Sequence, residues 1–163
     1  MPQALEIRPA RREDCPKLIE LIGGLAEYEK LEQQMVATSA ALEAELFGER
    51  PVIEAALAWE GQRVVGFALW FHNYSTFLGR RGIYLEDLFV LPSSRGRGYG
   101  KALLRYLARL AMTRGCGRFE WTVLDWNTPA IRFYEALGAQ VLPDWRVCRV
   151  TGDALARLAE GRG

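Results

Sequence analysis

A glycine-rich basic turn at residues 95–101 has the composition of a phosphate-binding site. Glycines recur at spacing two among basic side chains, in the order Arg95, Gly96, Arg97, Gly98, Tyr99, Gly100 and Lys101. An apolar, β-prone run at 84–91 precedes the turn, and an amphipathic helix pattern follows it. Backbone N–H groups without side chains in the way can surround an anion, and a helix N-terminus adds about half a positive charge. Strand, turn and helix start together therefore predict a phosphate site.

Two adjacent carboxylates, Glu86 and Asp87, interrupt the apolar run before the turn. A carboxylate beside a reacting group can accept a proton as a general base. The same pair is also compatible with two solvated acids at a strand edge. Because successive side chains of a strand point to opposite faces, no more than one of the two is expected to face a cleft.

Two other phosphate-binding patterns do not fit this turn. A Walker loop requires Gly-x-x-x-x-Gly-Lys followed by Ser or Thr, but Ala102 follows Gly100-Lys101 and Arg95 replaces the first glycine. The dinucleotide fingerprint Gly-x-Gly-x-x-Gly fails because Lys101 or Leu103 stands where the last glycine should be. The pattern that fits is Arg/Gln-x-x-Gly-x-Gly/Ala, running from Arg95 to Gly100.

Length and charge limit the classes of partner. With 163 residues, 50% of them hydrophobic and 25% charged, the chain suits one domain over 1–163 with a single core. The net charge is +1, so no overall field favours nucleic acid or a membrane surface. No apolar stretch resembles a signal sequence or reaches the roughly 20 residues of a spanning helix. We expect a small-molecule substrate, with neither nucleic acid nor a membrane as partner.

The cysteines and the histidine indicate neither a disulfide framework nor a metal centre. Cys15, Cys116 and Cys148 are odd in number and widely spaced, as expected of free thiols in the reducing cytoplasm. His72 is the single histidine, and no Cys or His pair has the spacing of zinc ligands. His72 itself is interpreted as a strand-end residue. No metal is expected.

Hydrophobic periodicity predicts alternating strands and helices. Strands are expected at 5–10, 51–60, 63–73, 83–91, 118–124, 141–142 and 146–150, with a tight hairpin at Gly61-Gln62 and a loop at 74–82. Helices are expected after Asp14, after Thr38 or Ser39, behind the glycine turn, after the cap Thr128, and from Asp153. The glycines Gly48, Gly115 and Gly138 are the expected helix ends. The pair Gly23-Gly24 predicts a bend or close packing in the first helix.

The turn resembles the acetyl-CoA loop of the GNAT superfamily of N-acetyltransferases. A closer similarity, to the diamine acetyltransferase (spermidine/spermine N-acetyltransferase) family, covers nearly the whole chain. It rests on the segments 7–10, 14–15, 25–29, 47–49, 65–68, 84–87, 127–129 and 133–134. The chain departs from that family at the shorter hairpin turn at Gly61, at Arg97 and Tyr99 in place of apolar residues, and in a condensed 142–145 segment.

The resemblance implies a fold, a donor and a site. It implies a single-domain α/β GNAT fold with a mixed, mostly antiparallel sheet of six to seven strands and helices on both faces. The donor is acetyl-CoA, bound through Leu88, Phe89, Val90, Arg95, Gly96, Arg97, Gly98, Tyr99, Gly100, Lys101, Asn127, Thr128, Pro129 and Ala130. The acceptor amine is held by Tyr28, Glu29 and Glu86, of which Glu86 is also favoured as the catalytic carboxylate that faces the cleft and accepts the amine proton. Tyr134 is implied as the general acid.

Three functions are compatible with these residues. The first is acetylation of a small polycationic amine: a diamine, a polyamine or a thialysine-like amino acid. The second is acetylation of a protein lysine or N-terminus, and the third is a non-catalytic acyl-CoA sensor, against which Tyr134 argues. The resemblance also implies a homodimer, with 141–142 and 147–150 as the shared apolar surface.

Overall fold

In the computed structural model, which describes residues 3–162, the chain divides into two compact units, Met1–Thr122 and Val123–Gly163. The larger unit contains the sheet and three helices. The smaller unit contains two helices. The glycine-rich turn and the two acids lie in the larger unit, and the predicted general acid Tyr134 lies in the smaller one.

The sheet of the larger unit is mixed and mostly antiparallel. Its strands within the described residues are β1 (Leu5–Pro9), β2 (Glu54–Glu60), β3 (Arg63–Ser75), β4 (Arg80–Val90) and β5 (Phe119–Glu120). They lie in sequence order; the first four are antiparallel neighbours and β5 pairs parallel to β4. Gly61, with φ +63°, turns the β2–β3 hairpin as predicted.

Helices cover both faces of this sheet, as predicted. Helix α1 (Cys15–Tyr28) and helix α2 (Ser39–Phe47) pack on one face, against Leu57, Phe67 and Phe89 among others. Alternate strand residues point the other way, toward α3 (Tyr99–Thr113), where Trp70 meets Tyr106 edge to face. Burial of both sheet faces gives the unit a continuous apolar interior.

Two of the predicted helix boundaries have an evident local cause. Pro16 lies in the first turn of α1, where a missing N–H costs nothing. The side chain of Thr38 accepts a hydrogen bond from Ala41 N and caps α2, which ends at Gly48 as expected.

Two expectations for the larger unit need correction. The loop predicted at 74–82 is a short turn, because β3 and β4 remain paired as far as Ser75 and Arg80. Ser75 stabilises this turn by accepting bonds from Gly79 N and, through its hydroxyl, from Leu78 N. The strand predicted at 118–124 is only Phe119–Glu120, because its pairing with β4 stops after two residues.

The smaller unit contains α4 (Thr128–Ala136) and α5 (Gly152–Ala159). No strand forms at 141–142 or 146–150 among its described residues, so the sheet has five strands there rather than six or seven. The apolar side chains of these segments are exposed, and an apolar segment becomes a strand only where a neighbouring main chain pairs with it. The cap of α4 is Asn127, not Thr128, since its amide oxygen accepts from Ala130 N.

None of the helices in residues 3–162 has both the length and the apolar character needed to cross a membrane.

Candidate active site

A β-bulge lies at the two acids of β4. Leu69 of β3 pairs with Asp87 and Trp70 pairs with Leu85, which leaves Glu86 as an extra residue without a partner on β3. A bulge interrupts strict side-chain alternation and re-aims a side chain, often beside an active site. The strand alternation that allowed no more than one of the two acids to face a cleft therefore does not apply at this position, and Asp87 becomes a candidate beside Glu86.

The two acids form an electrostatic cluster with Glu29. Burial raises the pKa of Asp87 to about 7, and the charges of Glu86 and Glu29 add to this effect. Burial, and then the charge of Glu86, also raises the pKa of Glu29. Like charges brought together in a partly buried site disfavour simultaneous ionisation, so such a cluster binds a proton or a cation. The structure thus brings together the predicted residues Glu29 and Glu86 and adds Asp87.

The end of α1 holds Glu29 in place. Leu31 N donates to Ala26 O (2.8 Å) and Lys30 N donates to Glu27 O (3.1 Å), the two bonds of a Schellman motif. Its left-handed position carries Lys30, with φ +61°, where glycine is usual. A non-glycine residue in this conformation stores strain, which is common at functional sites.

Arg95 connects the glycine-rich turn to the end of α1. Its guanidinium carbon lies 4.8 Å from the ring centre of Tyr28 and 5.4 Å from that of Phe89. Its Nε donates to Val90 O at 3.0 Å. Tyr28, predicted to bind the acceptor amine, is therefore a direct neighbour of Arg95. Arg95 and its partner Val90 were both predicted to bind acetyl-CoA.

The main chain of β4 is open on one side beside this cluster. Only Ile83 and Tyr84 of β4 pair with β5, so the described strands leave Leu85–Val90 unpaired on that side. Leu91 N donates to Val65 O (2.8 Å), so the alternation of the ladder directs the main-chain groups of Leu88 and Val90 to the open side. By the same alternation, Phe89 directs its own toward β3. An extended ligand could bind beside Leu88 and Val90 as a strand would.

The glycine-rich turn leads directly into α3. Gly96 and Gly98 have φ +78° and +81°, a left-handed backbone that glycine adopts without penalty. Gly98 is the N-cap, and the first intrahelical bond runs from Ala102 N to Gly98 O (2.9 Å). The N–H groups of Tyr99, Gly100 and Lys101 therefore have no partner within the helix and suit an anion.

Two side chains of the turn have partners outside it. Arg97 Nη1 and the Tyr99 hydroxyl both donate to Glu60 Oε1, at 2.7 and 2.9 Å. Both residues were predicted to contact the donor, and both depart from the apolar residues of the resembling family.

The remaining predicted residues lie in the smaller unit. Asn127 is buried and caps α4, while Thr128, Pro129 and Ala130 form its first turn. Tyr134 lies one turn further along the same helix, half-buried, with its ring 5.5 Å from that of Phe133. The carbonyl of Tyr134 accepts a bond from Ala139 N (3.1 Å), which closes the helix at Gly138.

In the part of the chain that the structure describes, no group of three or more His, Cys, Asp or Glu side chains could hold a metal ion. The single histidine, His72, has Nδ1 2.9 Å from Gly82 O and Nε2 2.9 Å from Arg114 Nη1. It therefore takes part in a structural hydrogen-bond network at the end of the sheet.

Residues 15–139 match the acetyltransferase (GNAT) family. The chain belongs to this family. It is an acetyl-CoA-dependent N-acetyltransferase, which confirms the family predicted from the glycine-rich turn. The GNAT match begins in α1 and ends after α4, so it covers the acid cluster, the turn and Tyr134.

Individual proteins similar to this chain include acetyltransferases of small amines. A thialysine N-epsilon-acetyltransferase of Mus musculus is 40% identical over 94% of this chain and 96% of its own length. An L-ornithine N5-acetyltransferase of Arabidopsis thaliana is 52% identical over 58% of this chain and 42% of its own length. Among solved structures, an integron cassette protein of V. cholerae superposes with a TM-score of 0.82 at 29% identity, covering 97% of this chain and 99% of that one.

Two features of the site could not be predicted from the sequence. Asp87 was visible as an acid, but its part in the cluster depends on a bulge that only the register with β3 creates. Glu60 gave no signal, because its two partners lie 37 and 39 residues away along the chain.

Proposed function

We propose that the chain acetylates a primary amine of a small polycationic acceptor: a diamine, a polyamine or a thialysine-like amino acid. The observation that carries this proposal is the cluster of Glu29, Glu86 and Asp87 beside the turn. Burial and neighbouring negative charge raise the pKa values of Glu29 and Asp87, and the exposed Glu86 contributes to both shifts, so the cluster favours a ligand with more than one positive charge. The full-length similarity to a thialysine acetyltransferase supports the same acceptor class.

Removing a proton from the amine is the first chemical requirement. A primary ammonium with a pKa near 10.4 is neutral in about one molecule in 2,500 at pH 7, which costs roughly 4.6 kcal/mol. Asp87, with a pKa of about 7, is half ionised at that pH and suits a general base. The more exposed Glu86 meets the ammonium, and the carboxylate pair passes the proton to Asp87, directly or through water.

The donor supplies the acetyl group as a thioester. In a ternary complex the neutral amine attacks the acetyl carbonyl carbon directly, so that a C–N bond forms, the C–S bond breaks and the CoA thiolate leaves. We propose that the open side of β4 at Leu88 and Val90 binds the extended arm of the donor, and that the N–H groups at the start of α3 bind its pyrophosphate. The fit is supported by the left-handed Gly96 and Gly98, where an added Cβ would meet nothing within 4 Å. Of the groups on the open side, Val90 O already accepts from Arg95, which leaves the groups of Leu88 and the N–H of Val90.

We propose that the smaller unit supplies the general acid and further residues that bind the donor. The hydroxyl of Tyr134 donates a proton to the leaving sulfur, and the first turn of α4 at Asn127–Ala130 flanks the donor. Residues 1–163 act as one GNAT domain, since the family match crosses the boundary between the two units. The three free cysteines support a cytoplasmic location.

A panel of amines tests the proposal. Putrescine, spermidine, thialysine and lysine are each assayed with acetyl-CoA by release of the free thiol, with an N-terminal peptide and a lysine-containing peptide in parallel. We expect kcat/KM for at least one small diamine or thialysine to exceed that of either peptide by about 100-fold or more. A higher kcat/KM for either peptide than for every small amine would contradict the small-amine acceptor and favour a protein acceptor. Binding of CoA without thiol release on any amine would contradict the proposed chemistry.

A further inference from the structure

The turn end of the β2–β3 hairpin is bonded to the glycine-rich turn and to the residues just before it. At the end of β2 the Glu60 carboxylate accepts from Arg97 Nη1 (2.7 Å) and from the Tyr99 hydroxyl (2.9 Å). At the start of β3 Arg63 Nη2 donates to Ser93 Oγ at 2.9 Å. These three bonds span the turn from just before it to the first residue of α3.

The exposed fractions of Glu60 and Arg97 indicate which of the two side chains is fixed. The Glu60 side chain is 15% exposed and that of Arg97 is 52% exposed, so the carboxylate is the fixed member of the pair. A bond with Tyr99, and then the Glu60 charge, raise the pKa of Arg97 above its ordinary value. The positive charge of Arg97 is thus directed to the hairpin, while Gly96 and Gly98 of the turn are exposed.

The turn needs such restraint because its own backbone supplies little. Gly96 and Gly98 are free of side-chain contacts at the Cβ position, and the N-cap Gly98 has no side chain to bond to the helix. Glycine loses more conformational freedom on ordering than any other residue. A turn that must hold several N–H groups toward one anion therefore gains affinity if neighbouring groups order it beforehand.

We propose that Glu60 is a positioning residue for the pyrophosphate of the donor. It acts through Arg97 and Tyr99, fixing the start of α3 and the turn before it, without contacting the donor itself. The inference rests on the proposed role of the turn. It assigns part of the affinity for acetyl-CoA to Glu60, a residue of the β2–β3 hairpin that lies outside the turn.

The test compares Glu60→Gln and Glu60→Ala with wild-type protein and with Glu6→Ala. Glu6, an exposed residue of neighbouring β1, is the matched control. Steady-state kinetics are measured with acetyl-CoA and with acetyl-pantetheine, a thioester that lacks the pyrophosphate and the nucleotide. CoA binding is measured by titration calorimetry, and folding by thermal unfolding.

We expect Glu60→Ala to raise KM for acetyl-CoA and Kd for CoA about tenfold, and Glu60→Gln to raise them less, through lost preorganisation. The kcat, the KM for the amine, and kcat/KM with acetyl-pantetheine should stay within about twofold, because none of them uses the pyrophosphate. Arg97→Gln should raise Kd in the wild-type background but add nothing to Glu60→Ala, since both act through one contact.

Three results would overturn the inference. One is an acetyl-CoA KM in both Glu60 variants equal to that of Glu6→Ala, and another is an equal loss with the two donors. The third is unfolding of both variants, which would make Glu60 a support of the fold. Wild-type protein that neither turns over acetyl-CoA nor binds CoA would instead contradict the proposed function, so the two failures are distinguishable.

Discussion

At the scale of single residues, the acid pair of β4 makes a specific prediction about pH. Asp87 ionises near pH 7 because it is partly buried beside two other carboxylates. If it is the base, kcat/KM should rise with pH through about 7 as it loses its proton. Asp87→Asn should lower kcat by about 10²-fold or more and remove this rise. Glu86→Gln should lower the pH at which the rise occurs, because one neighbouring negative charge is gone.

The measurement is a pH profile of kcat/KM for the amine in wild type and both variants, with acetyl-CoA saturating and the amine below its KM. A profile unchanged in Asp87→Asn would exclude Asp87 as the base and return the role to Glu86.

The pH dependence of the free energy of unfolding supplies an independent check. The folded state holds the Asp87 proton more tightly than the unfolded chain, so stability is lost as pH rises from about 4 through about 7. Asp87→Asn should lose less stability than wild type over that range.

Tyr134 carries the second prediction at this scale. If its hydroxyl protonates the leaving sulfur, Tyr134→Phe should lower kcat by about 10²-fold, while Kd for acetyl-CoA stays within about twofold. Tyr74→Phe, at an exposed tyrosine of β3, is the control for loss of a hydroxyl. Turnover near the wild-type value in Tyr134→Phe would remove this residue from the mechanism.

At the scale of elements, α1 and β4 approach closely at one glycine. A Cβ on Gly24 would lie 3.0 Å from Phe89 Cε1, whereas one on Gly23 would lie 3.8 Å from Met35 Sδ, an ordinary contact. We expect Gly23→Ala to stabilise the protein by about 0.5–1 kcal/mol through helix propensity. Gly24→Ala should be less stable than Gly23→Ala by about 1 kcal/mol or more, because Phe89 must move.

Urea denaturation of the two alanine variants measures this difference directly. Because Phe89 lies between Leu88 and Val90, Gly24→Ala should also raise KM for acetyl-CoA, which Gly23→Ala should leave unchanged. Equal stability of the two variants would show that the close approach does not constrain α1.

The end of α1 makes a further prediction. Lys30 occupies the left-handed position of a Schellman motif, a position that Gly115 and Gly138 occupy at the ends of α3 and α4. Lys30→Gly should be more stable than Lys30→Ala by about 1 kcal/mol, since both lose the side chain but only alanine keeps the strained Cβ. Unfolding free energies of the pair provide the measurement. No difference would mean that the backbone relaxes out of this conformation.

The elements differ in how far the sequence determines them. The ends of α3 and α4 were predictable because Gly115 and Gly138 signal a left-handed turn locally. The left-handed conformation of Lys30 at the end of α1 was not, because lysine is unfavourable in that conformation and only the surrounding structure imposes it. The acid cluster and the Glu60 contacts depend on registers and pairings between distant segments, which local patterns do not specify. The prediction of strands at 141–142 and 146–150 was wrong, because apolar residues alone do not specify a neighbouring strand with which the main chain can pair.

At the scale of the whole molecule, the exposed apolar side chains of the smaller unit predict self-association. Val141, Leu142, Trp145, Val147 and Val150 are all exposed, and a concentration of apolar surface commonly marks an interface. We propose a homodimer, with a mass near twice the 18.4 kDa of the chain. Val147→Asp should shift it toward monomer.

Sedimentation velocity over a range of concentrations measures the association. Val36→Asp is the matched control, since Val36 is 86% exposed and Val147 is 71% exposed. A monomeric wild type, or equal effects of the two substitutions, would contradict the assignment of this surface.

The unpaired side of β4 also has a consequence for the solubility of the protein. Main-chain groups left open along a strand can template pairing with another chain, which is how edge strands nucleate aggregates. Arg95 covers one of these groups by bonding to Val90 O, and the extended arm of the donor would cover the groups at Leu88. Reversible binding of the donor would then protect this side of β4 from pairing with another chain. Enzyme deprived of the donor is expected to be the form most prone to precipitate.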